Sequence, residues 1–353
     1  MTAPAAEPLT PSIGPGAPLL SVKDLHSYLA TSQGVVRAVD GVSFTVHETE
    51  VLGIVGESGC GKTVTCRTIM GLMPARTVHT EGQVIYHPRN DINLLQATDH
   101  EFQSLRGADL AMIFQDPMTA LNPVLSIGDQ LIEAVRAHAT MPTTQARRQA
   151  IDLLERVGIP AAPRRMKDYP FQFSGGMLQR ALIAIALASS PRLLLADEPT
   201  TSLDVIIQDQ ILSLLLELQQ DTGMSLILVS HDLAVISEMC DRIIVMYAGQ
   251  VVEEGSAADV ITAPRHPYTH ALLDALPHAG ERGQLRSIAG SPPSLIAVPP
   301  GCRFAPRCRF ATDECHSWDT ELIDAGERDH TARCWRQQEI AERQDSWQRS
   351  ELA

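Results

Sequence analysis

The octapeptide at residues 56–63 constrains the fold of this chain more than any other feature. It fits the pattern G-x-x-x-x-G-K-[ST], and the apolar run Val51–Val55 comes directly before it. The run predicts a buried parallel strand, and the glycines let consecutive backbone N–H groups converge on phosphate oxygens. We therefore predict a strand, a phosphate loop and a helix that begins at about Lys62. The loop residues are Gly56, Glu57, Ser58, Gly59, Cys60, Gly61, Lys62 and Thr63.

Two carboxylates extend this prediction to nucleotide chemistry. Asp197 and Glu198 follow an apolar run that begins at Leu193, so they are expected at the carboxyl edge of a parallel sheet, beside the loop. Lys62 is expected to reach the β- and γ-phosphates, and Thr63 to hold Mg²⁺. Asp197 is predicted to hold Mg²⁺ through water and Glu198 to be the general base. A solvated acidic turn is the competing interpretation.

Composition narrows the class of protein. The chain has 353 residues, 44% of them hydrophobic and 4% aromatic, which is typical of a helix-rich α/β protein. A net charge of −14 argues against nucleic acid as the main partner. Apolar stretches fall short of the roughly 18–20 residues that a membrane span needs, so membrane association is expected to go through protein partners.

The chain divides into three predicted parts. Residues 1–20 lack a basic start and an apolar core, which predicts a disordered leader and not a signal peptide, and so a reducing compartment. Residues 21–260 alternate strand and helix patterns, with an inserted helical subdomain at about 94–187. Residues 261–353 form a proline-punctuated extension with four cysteines. The predicted strands are 35–46, 82–86, 51–55, 193–196 and 225–229, and the predicted helices are 127–138 and 144–157.

A Ser-Gly-Gly sequence adds specificity. Ser174, Gly175 and Gly176 stand between Phe173 and Met177. By itself such a sequence is more often a helix N-cap than a ligand site. Together with the loop and the carboxylates, it makes the chain resemble the ATP-binding subunit of an ATP-binding cassette (ABC) transporter. The resemblance implies a P-loop NTPase fold with an antiparallel β-subdomain, an inserted helical subdomain and a small Cys-rich C-terminal extension.

The same resemblance implies roles for single residues. Ser174, Gly175 and Gly176 would contact the γ-phosphate bound by an opposite ATPase subunit. Gln115 matches a glutamine that senses Mg²⁺ and water, and His231 matches a histidine that contacts the γ-phosphate. Asp204, with Ser202 and Leu203, matches a loop that crosses the dimer interface. Tyr28 is the nearby aromatic candidate for stacking on adenine, although the register places Leu29 at that position.

Cys60 occupies a loop position that is usually serine in peptide importers. A thiol near a helix N-terminus can have a lowered pKa, which would make it sensitive to oxidants. The alternative interpretation is a tolerated small residue.

The extension carries the pattern C-x5-C-x6-C-x18-C, formed by Cys302, Cys308, Cys315 and Cys334. The absence of a C-x-x-C pair argues against a zinc knuckle, and the wide spacing suits an iron–sulfur cluster. Neighbouring arginines (Arg303, Arg307, Arg309 and Arg333) would offset the negative charge of such a cluster. Cys66 and Cys240 are predicted to be core thiols.

The segment from His266-Pro267-Tyr268 to Cys334-Trp335 resembles the C-terminal extension of oligopeptide and dipeptide importer ATPases. That resemblance implies a [4Fe–4S] cluster, with Zn²⁺ and four free thiols as alternatives. It implies an ATPase at the cytoplasmic face of the cell membrane. Its expected partners are a second ATPase subunit, two transmembrane permease subunits and an extracytoplasmic substrate-binding protein.

Other functions stay open on sequence. The cargo could be nickel or another small solute instead of a peptide. A soluble ABC ATPase that does not transport is a second class, although a second cassette or a long coiled-coil insertion is missing. A third class treats the cysteines as a redox module.

Overall fold

The computed structural model describes residues 16–201, 203–275, 288–318, 321–325 and 329–341. Its centre is a sheet with the strand order β11-β12-β10-β9-β3-β8-β7-β6. A second sheet has the order β2-β1-β4-β5. The strands are β1 (Pro18–Thr31), β2 (Gly34–His47), β3 (Val51–Val55), β4 (Val78–Tyr86), β5 (Ile92–Asn93), β6 (Leu110–Ile113), β7 (Leu193–Asp197), β8 (Ser225–Ser230), β9 (Arg242–Tyr247), β10 (Gln250–Ser256), β11 (Ile323–Asp324) and β12 (Thr331–Ala332).

Helices cover both faces of the central sheet and fill the segment between β6 and β7. They are α1 (Lys62–Ile69), α2 (Asp99–Leu105), α3 (Pro117–Ala120), α4 (Ile127–Arg136), α5 (Thr143–Arg156), α6 (Ala162–Arg165), α7 (Gly175–Ala186), α8 (Val205–Thr222), α9 (Leu233–Met239), α10 (Ala257–Thr262) and α11 (Pro267–Asp274).

Parallel pairing in the central sheet sets the position of the site. β3 lies between β8 and β9, β7 pairs with β8, and β6 pairs with β7, all in parallel. Every residue of β3 and β7 is buried, which explains why both read as apolar runs without alternation. The carboxyl ends of β3, β7 and β8 therefore meet at one edge of the sheet. The residues that follow these strands, including Glu198 and His231, are brought together there.

The second sheet is antiparallel throughout. The predicted antiparallel strands at 35–46 and 82–86 are confirmed within β2 and β4. The leader predicted at residues 1–20 needs a correction at its end, because Pro18, Leu19 and Leu20 belong to β1. Leu19 and Leu20 are buried against the second hydrophobic core, so this stretch folds as a strand. Residues 1–15 lie outside the described part of the chain.

Both predicted helices between residues 94 and 187 are confirmed, as α4 and α5. One strand was not predicted there: β6 (Leu110–Ile113) is buried at the edge of the central sheet. A four-residue apolar run can belong to a helix or to a strand, and only the pairing with β7 distinguishes them.

The described residues after α10 share the main core. Tyr268 on α11 and Phe304 are buried in the same hydrophobic cluster as β7 and β8. β12 pairs with β10 and β11 pairs with β12, so these two strands extend the central sheet at its edge. The C-terminal region is thus packed on the nucleotide-binding part, which bears on the site below.

Candidate active site

The phosphate loop is shaped by three glycines with positive φ. Gly56, Gly59 and Gly61 have φ of 154°, 82° and 110°. A Cβ at Gly61 would lie 2.2 Å from the carbonyl oxygen of Ala38, and one at Gly56 would lie 2.2 Å from that of Met246. Only glycine fits at both positions, because a side chain would meet rigid backbone. The predicted strand, loop and helix are confirmed, since β3 ends at Val55 and α1 begins at Lys62.

Lys62 and Thr63, the first two residues of α1, bind different partners. The Lys62 Nζ donates hydrogen bonds to the carbonyl oxygens of Gly56 (2.7 Å) and Glu57 (3.2 Å). The Thr63 hydroxyl donates to Asp197 Oδ1 over 2.9 Å. Burial raises the pKa of Asp197, although the Thr63 hydrogen bond opposes that shift. The other oxygen, Asp197 Oδ2, is buried and has no hydrogen-bond partner in the described chain.

Glu198 is the point at which the predicted catalytic residues meet. Its Oε2 accepts hydrogen bonds from Gln115 Nε2 (3.0 Å) and the Thr201 hydroxyl (2.9 Å). The same oxygen lies 3.6 Å from His231 Nδ1, and Oε1 lies 3.9 Å from Lys62 Nζ. Glu198 has a φ of 47°, which is uncommon for a residue with a side chain.

Thr201 was missed by the sequence analysis as a site residue. It belongs to the polar run that follows the two carboxylates, and that run is the signal that could have found it.

The Ser-Gly-Gly residues lie apart from this cluster. Ser174 is the N-cap of α7, and its hydroxyl accepts from the Met177 N–H over 3.4 Å. Cβ atoms built at Gly175 and Gly176 would meet Leu203 and Ile207, respectively, so this turn packs beside the start of α8. Among the described residues, no hydrogen bond joins these three residues to the phosphate loop.

Asp204 caps α8 through a hydrogen bond from the Ile207 N–H to its Oδ1 (3.1 Å). It is exposed, and the next two residues, Val205 and Ile206, are 79% and 72% exposed. Ser202 lies outside the described residues. Apolar side chains this open at the start of a helix are suited to contact with another protein surface.

Tyr28 lies on β1 opposite Arg37 of β2. Its hydroxyl donates to Asp40 Oδ1 over 2.6 Å, and the Arg37 guanidinium is 5.9 Å from the ring centre. Burial and the contact with Asp40 raise the pKa of Tyr28 to about 12. The ring is half-buried and anchored at its hydroxyl end, whereas Leu29 is its neighbour on the opposite face of the strand.

Cys60 is buried in the loop, 3.9 Å from Lys62 Nζ. Burial raises the pKa of its thiol, and the attraction of Lys62 only reduces that shift. The raised pKa favours the interpretation of Cys60 as a tolerated small residue over an oxidant-sensitive thiol. Cys66 and Cys240 are buried as predicted.

The four C-terminal cysteines line one cavity together with aromatic and basic side chains. Burial raises the pKa of Cys302, Cys308 (to about 11) and Cys334 (to about 12). Burial also opposes the Cys315 thiolate, but hydrogen bonds from Thr312 and Trp335 outweigh it and lower its pKa. In the described parts of the chain, no group of three or more His, Cys, Asp or Glu side chains is arranged to hold a metal ion. This arrangement of side chains supports neither a zinc site nor an iron–sulfur cluster.

The predicted role of the neighbouring arginines needs a correction at Arg303 and Arg307. Arg303 is hydrogen-bonded to Asp40 and to the Ala248 carbonyl, and Arg307 to Glu57, so both point toward the nucleotide-binding part. Arg333 and Arg336 are the arginines that line the cavity. Cys302 and Cys308 lie at the two ends of the segment that carries Arg303 and Arg307, and this proximity in sequence had suggested the wrong partners.

No described helix is long and apolar enough to cross a membrane.

Two family models match the chain. Residues 39–201 match "ABC transporter", and residues 252–315 match "Oligopeptide/dipeptide transporter, C-terminal region". The chain is 47% identical over 329 residues to the dipeptide transport ATP-binding protein DppD of Bacillus subtilis, covering 92% of this chain and 96% of that protein. It is 48% identical to DppD of Escherichia coli, covering 86% and 92%. It is 45% identical to the oligopeptide transport ATP-binding protein OppD of Haemophilus influenzae, covering 84% and 91%.

Solved structures agree with these matches. A dimeric post-hydrolysis state of the ATP-binding cassette MJ0796, bound to ADP and Pi, superposes with a TM-score of 0.60 at 27% identity. It covers 67% of this chain and 98% of its own. The loop, the Thr63–Asp197 pair and the Glu198 cluster lie together at the carboxyl edge of the central sheet. This chain therefore belongs to the ATP-binding proteins of ABC transporters and carries the C-terminal region of the oligopeptide/dipeptide branch.

Proposed function

We propose that this protein hydrolyses ATP to drive the import of dipeptides or oligopeptides. The observation that carries the proposal is the convergence of Gln115, Thr201 and His231 on the Glu198 carboxylate, beside Lys62. The peptide class is supported by the C-terminal family match and by the printed names of the relatives. Those names give no support to nickel as the cargo or to a non-transport ATPase.

Glu198 is proposed as the general base. Its Oε2 holds two hydrogen-bond donors, so the carboxylate is oriented before a water molecule is bound. Gln115 and His231 both contact this oxygen and are exposed, the His231 side chain to 60%. These two residues are proposed to place the water and to contact the γ-phosphate.

The residues around Asp197 fit Mg²⁺. Asp197 Oδ2 is a buried carboxylate oxygen without a partner in the described chain, and Thr63 adds a hydroxyl next to it. Oxygen ligands of this kind suit a hard cation. Thr63 and Asp197 would hold the ion together with Gln115. The bound ion would supply positive charge that offsets the negative charge of the phosphate groups.

A complete site is proposed to need a second ATPase subunit. Ser174, Gly175 and Gly176 make no described hydrogen bond to the phosphate loop of their own chain, yet Ser174 and Gly175 are exposed at a helix N-terminus suited to an anion. Exposed Val205 and Ile206 follow Asp204 and offer apolar surface to the same partner. A solved relative is described as dimeric, which supports this arrangement.

Two permease subunits are proposed to contact the helical segment. Met118, Val124 and Phe171 are exposed apolar side chains at 52%, 76% and 69%, and Met118 is three residues from Gln115. A partner that binds there would contact the segment that carries Gln115, so a movement of Gln115 would be passed to that partner. The proposed location is thus the cytoplasmic face of the membrane, with a substrate-binding protein on the other side.

The proposed domains are a nucleotide-binding domain at residues 21–260, with a helical subdomain at about 94–187, and a C-terminal extension at 261–353. The helices α2 to α7 support the subdomain. The cavity lined by four cysteines supports an extension with its own site.

A [4Fe–4S] cluster is proposed for Cys302, Cys308, Cys315 and Cys334, with Zn²⁺ as the alternative. All four line one cavity, and a cluster of four irons spaces its thiolates more widely than one ion does. Backbone N–H groups of Phe310 and Thr312 donate to the sulfurs of Cys308 (3.4 Å) and Cys315 (3.5 Å), as is favourable for thiolate ligands.

The test of the function uses the protein with its permease and partner ATPase in proteoliposomes. We expect ATP hydrolysis to rise when a substrate-binding protein loaded with dipeptides or oligopeptides is added to the opposite side. Stimulation by a nickel-loaded binding protein with none by peptides would contradict the peptide assignment. Wild-type protein that neither binds nor hydrolyses ATP would contradict the whole proposal.

A further inference from the structure

Glu57, the second residue of the phosphate loop, is held by two side chains from the C-terminal region. Its backbone N–H donates to the hydroxyl oxygen of Tyr268 over 2.8 Å. Its carboxylate accepts from the Arg307 guanidinium, over 2.6 Å from Nη1 to Oε2 and 3.0 Å from Nη2 to Oε1. Two parallel contacts of this kind fix direction as well as distance. Both the main chain and the side chain of Glu57 therefore have defined positions.

Arg307 is built into its surroundings. Its side chain is 4% exposed, and its Nε donates to the carbonyl oxygen of Ala289 over 2.9 Å. Nη1 also donates to the Tyr247 hydroxyl over 3.2 Å. A buried guanidinium with this many partners does not swing to solvent, because an unpaired buried charge is costly. Arg307 is thus a rigid anchor for Glu57.

Tyr268 is equally fixed. Its ring is fully buried, 4.6 Å from the Tyr247 ring and 5.4 Å from the Phe304 ring between centres. The packed rings set the position of its hydroxyl at the Glu57 N–H. The His266-Pro267-Tyr268 sequence of the C-terminal region acquires a contact with the phosphate loop in this way.

These anchors bear on the nucleotide through Lys62. The Lys62 Nζ donates to the carbonyl oxygens of Gly56 and Glu57. The peptide group that joins Gly56 to Glu57 is therefore held from both sides, by Lys62 at its carbonyl oxygen and by Tyr268 at its N–H. A shift of Glu57 would move the lysine and the N–H groups that phosphates use. A loop that is ordered in advance binds more tightly, because less freedom is lost on binding.

We propose that Arg307 and Tyr268 are positioning residues for ATP: they hold Glu57 so that the phosphate loop keeps its nucleotide-binding shape. The inference rests on the proposed function, since it assumes that the loop binds ATP. It goes further by making nucleotide affinity depend on the C-terminal region of the same chain. Neither residue touches the reacting atoms.

The experiment measures MgATP binding by titration calorimetry and steady-state hydrolysis in three variants of the full chain. Tyr268→Phe keeps the packed ring and removes the acceptor of the Glu57 N–H. Arg307→Gln and Glu57→Gln remove the ion pair from either end. We expect the Kd and KM for MgATP to rise about tenfold in each variant, because the free energy of one to two hydrogen bonds corresponds to about that change in affinity. We expect kcat at saturating ATP to stay within about twofold.

Arg309→Gln is the matched control. Arg309 and Arg307 flank Cys308 on opposite sides, but Arg309 pairs with Asp274 over 3.5 Å, away from the phosphate loop. This control should leave the Kd unchanged, and iron or zinc content measured in all variants shows whether the cysteines are disturbed. Combining Arg307→Gln with Glu57→Gln should cost less than the sum of the single effects, because both remove one contact.

Two results would overturn the inference. One is a lower melting temperature in Tyr268→Phe and Arg307→Gln with an unchanged Kd for MgATP, which would make the contacts purely structural. The other is a loss of kcat with unchanged affinity. Wild-type protein that fails to bind MgATP would instead refute the proposed function, so the two failures are distinguishable.

Discussion

Thr63 Oγ1 and Asp197 Oδ1 are 2.9 Å apart, and this hydrogen bond joins the first turn of α1 to the end of β7. It orients the carboxylate so that its second oxygen is buried without a protein partner. The pair therefore has the form of a prepared site for a cation. The two residues are 134 positions apart in sequence.

Replacing Asp197 with Asn should weaken Mg²⁺ binding because an amide oxygen carries no full charge. We expect the Mg²⁺ concentration for half-maximal ATP hydrolysis to rise at least about tenfold. Asp152→Asn, an exposed carboxylate on α5, is the control and should behave as wild type. A Mg²⁺ dependence that is identical in Asp197→Asn and wild type would exclude Asp197 from the metal site.

Glu198→Gln should bind MgATP within about threefold of wild type and lose turnover by about 10²-fold or more, since the amide cannot accept a proton. Calorimetry and phosphate release measure the two properties. Glu217→Gln, exposed on α8, controls for the loss of one charge. Normal hydrolysis by Glu198→Gln would assign the base to another residue.

Gly61→Ala tests the shape of the loop. Gly61 has φ of 110°, and a Cβ would lie 2.2 Å from the Ala38 carbonyl oxygen. Gly223 also has a positive φ, 67°, but no atom lies within 4 Å of its Cβ position. Gly223→Ala should cost about 1 kcal/mol of unfolding free energy from strain alone. Gly61→Ala should cost about 1–3 kcal/mol more. Equal losses in urea denaturation would show that the loop moves away from Ala38.

Anaerobic purification tests the four-cysteine cavity. We expect a coloured protein with about four iron atoms per chain, as a [4Fe–4S] cluster requires. Cys302→Ser should lose most of the iron, whereas Cys66→Ser changes a buried thiol outside the cavity and should keep it. A colourless wild-type protein that contains neither iron nor zinc would leave four free thiols.

His266 predicts a pH dependence. Burial lowers its pKa to about 3, and its Nδ1 accepts from the Tyr268 N–H over 3.0 Å. In the unfolded chain the pKa is about 6.5, so below that pH the unfolded chain takes up a proton that the folded chain does not. Stability is therefore lost as the pH falls, by about 2 kcal/mol between pH 7 and pH 5.

His266→Asn can still cap α11 but does not titrate, so it should lack that part of the loss. Urea denaturation at both pH values measures the difference. An equal loss of stability in variant and wild type would show that His266 is not the responsible group.

Local sequence was sufficient for much of the fold. The bounds of β3 were predicted to the residue, because the strand coincides with the apolar run and ends where the glycine-rich loop begins. α4 and α5 were found by their periodicity, with ends that differ by one or two residues. β6 was missed because its four apolar residues have no period of their own, and its partner β7 is about 80 residues away.

The candidate site divides in the same way. Two short motifs, the phosphate loop and the pair of carboxylates after an apolar run, were sufficient to predict four site residues: Lys62, Thr63, Asp197 and Glu198. Thr201 was missed as a partner of Glu198, although it lies only three residues away, because many nearby hydroxyls could play that role. Arg303 and Arg307 were predicted to offset charge at the cysteines but bind Asp40 and Glu57 instead, because adjacency in sequence does not set the direction of a side chain.

The sequence by itself determined that the chain has a phosphate loop, two carboxylates at the end of a strand and four clustered cysteines, because each is a pattern of residues that lie close together in the chain. Only the tertiary structure decided that Tyr268 and Arg307 hold Glu57. Arg307 and Glu57 are 250 residues apart, and neither local sequence contains a pattern that predicts contact with the other. Their contact arises because the C-terminal region shares the core of the central sheet, and packing in three dimensions sets which distant residues meet.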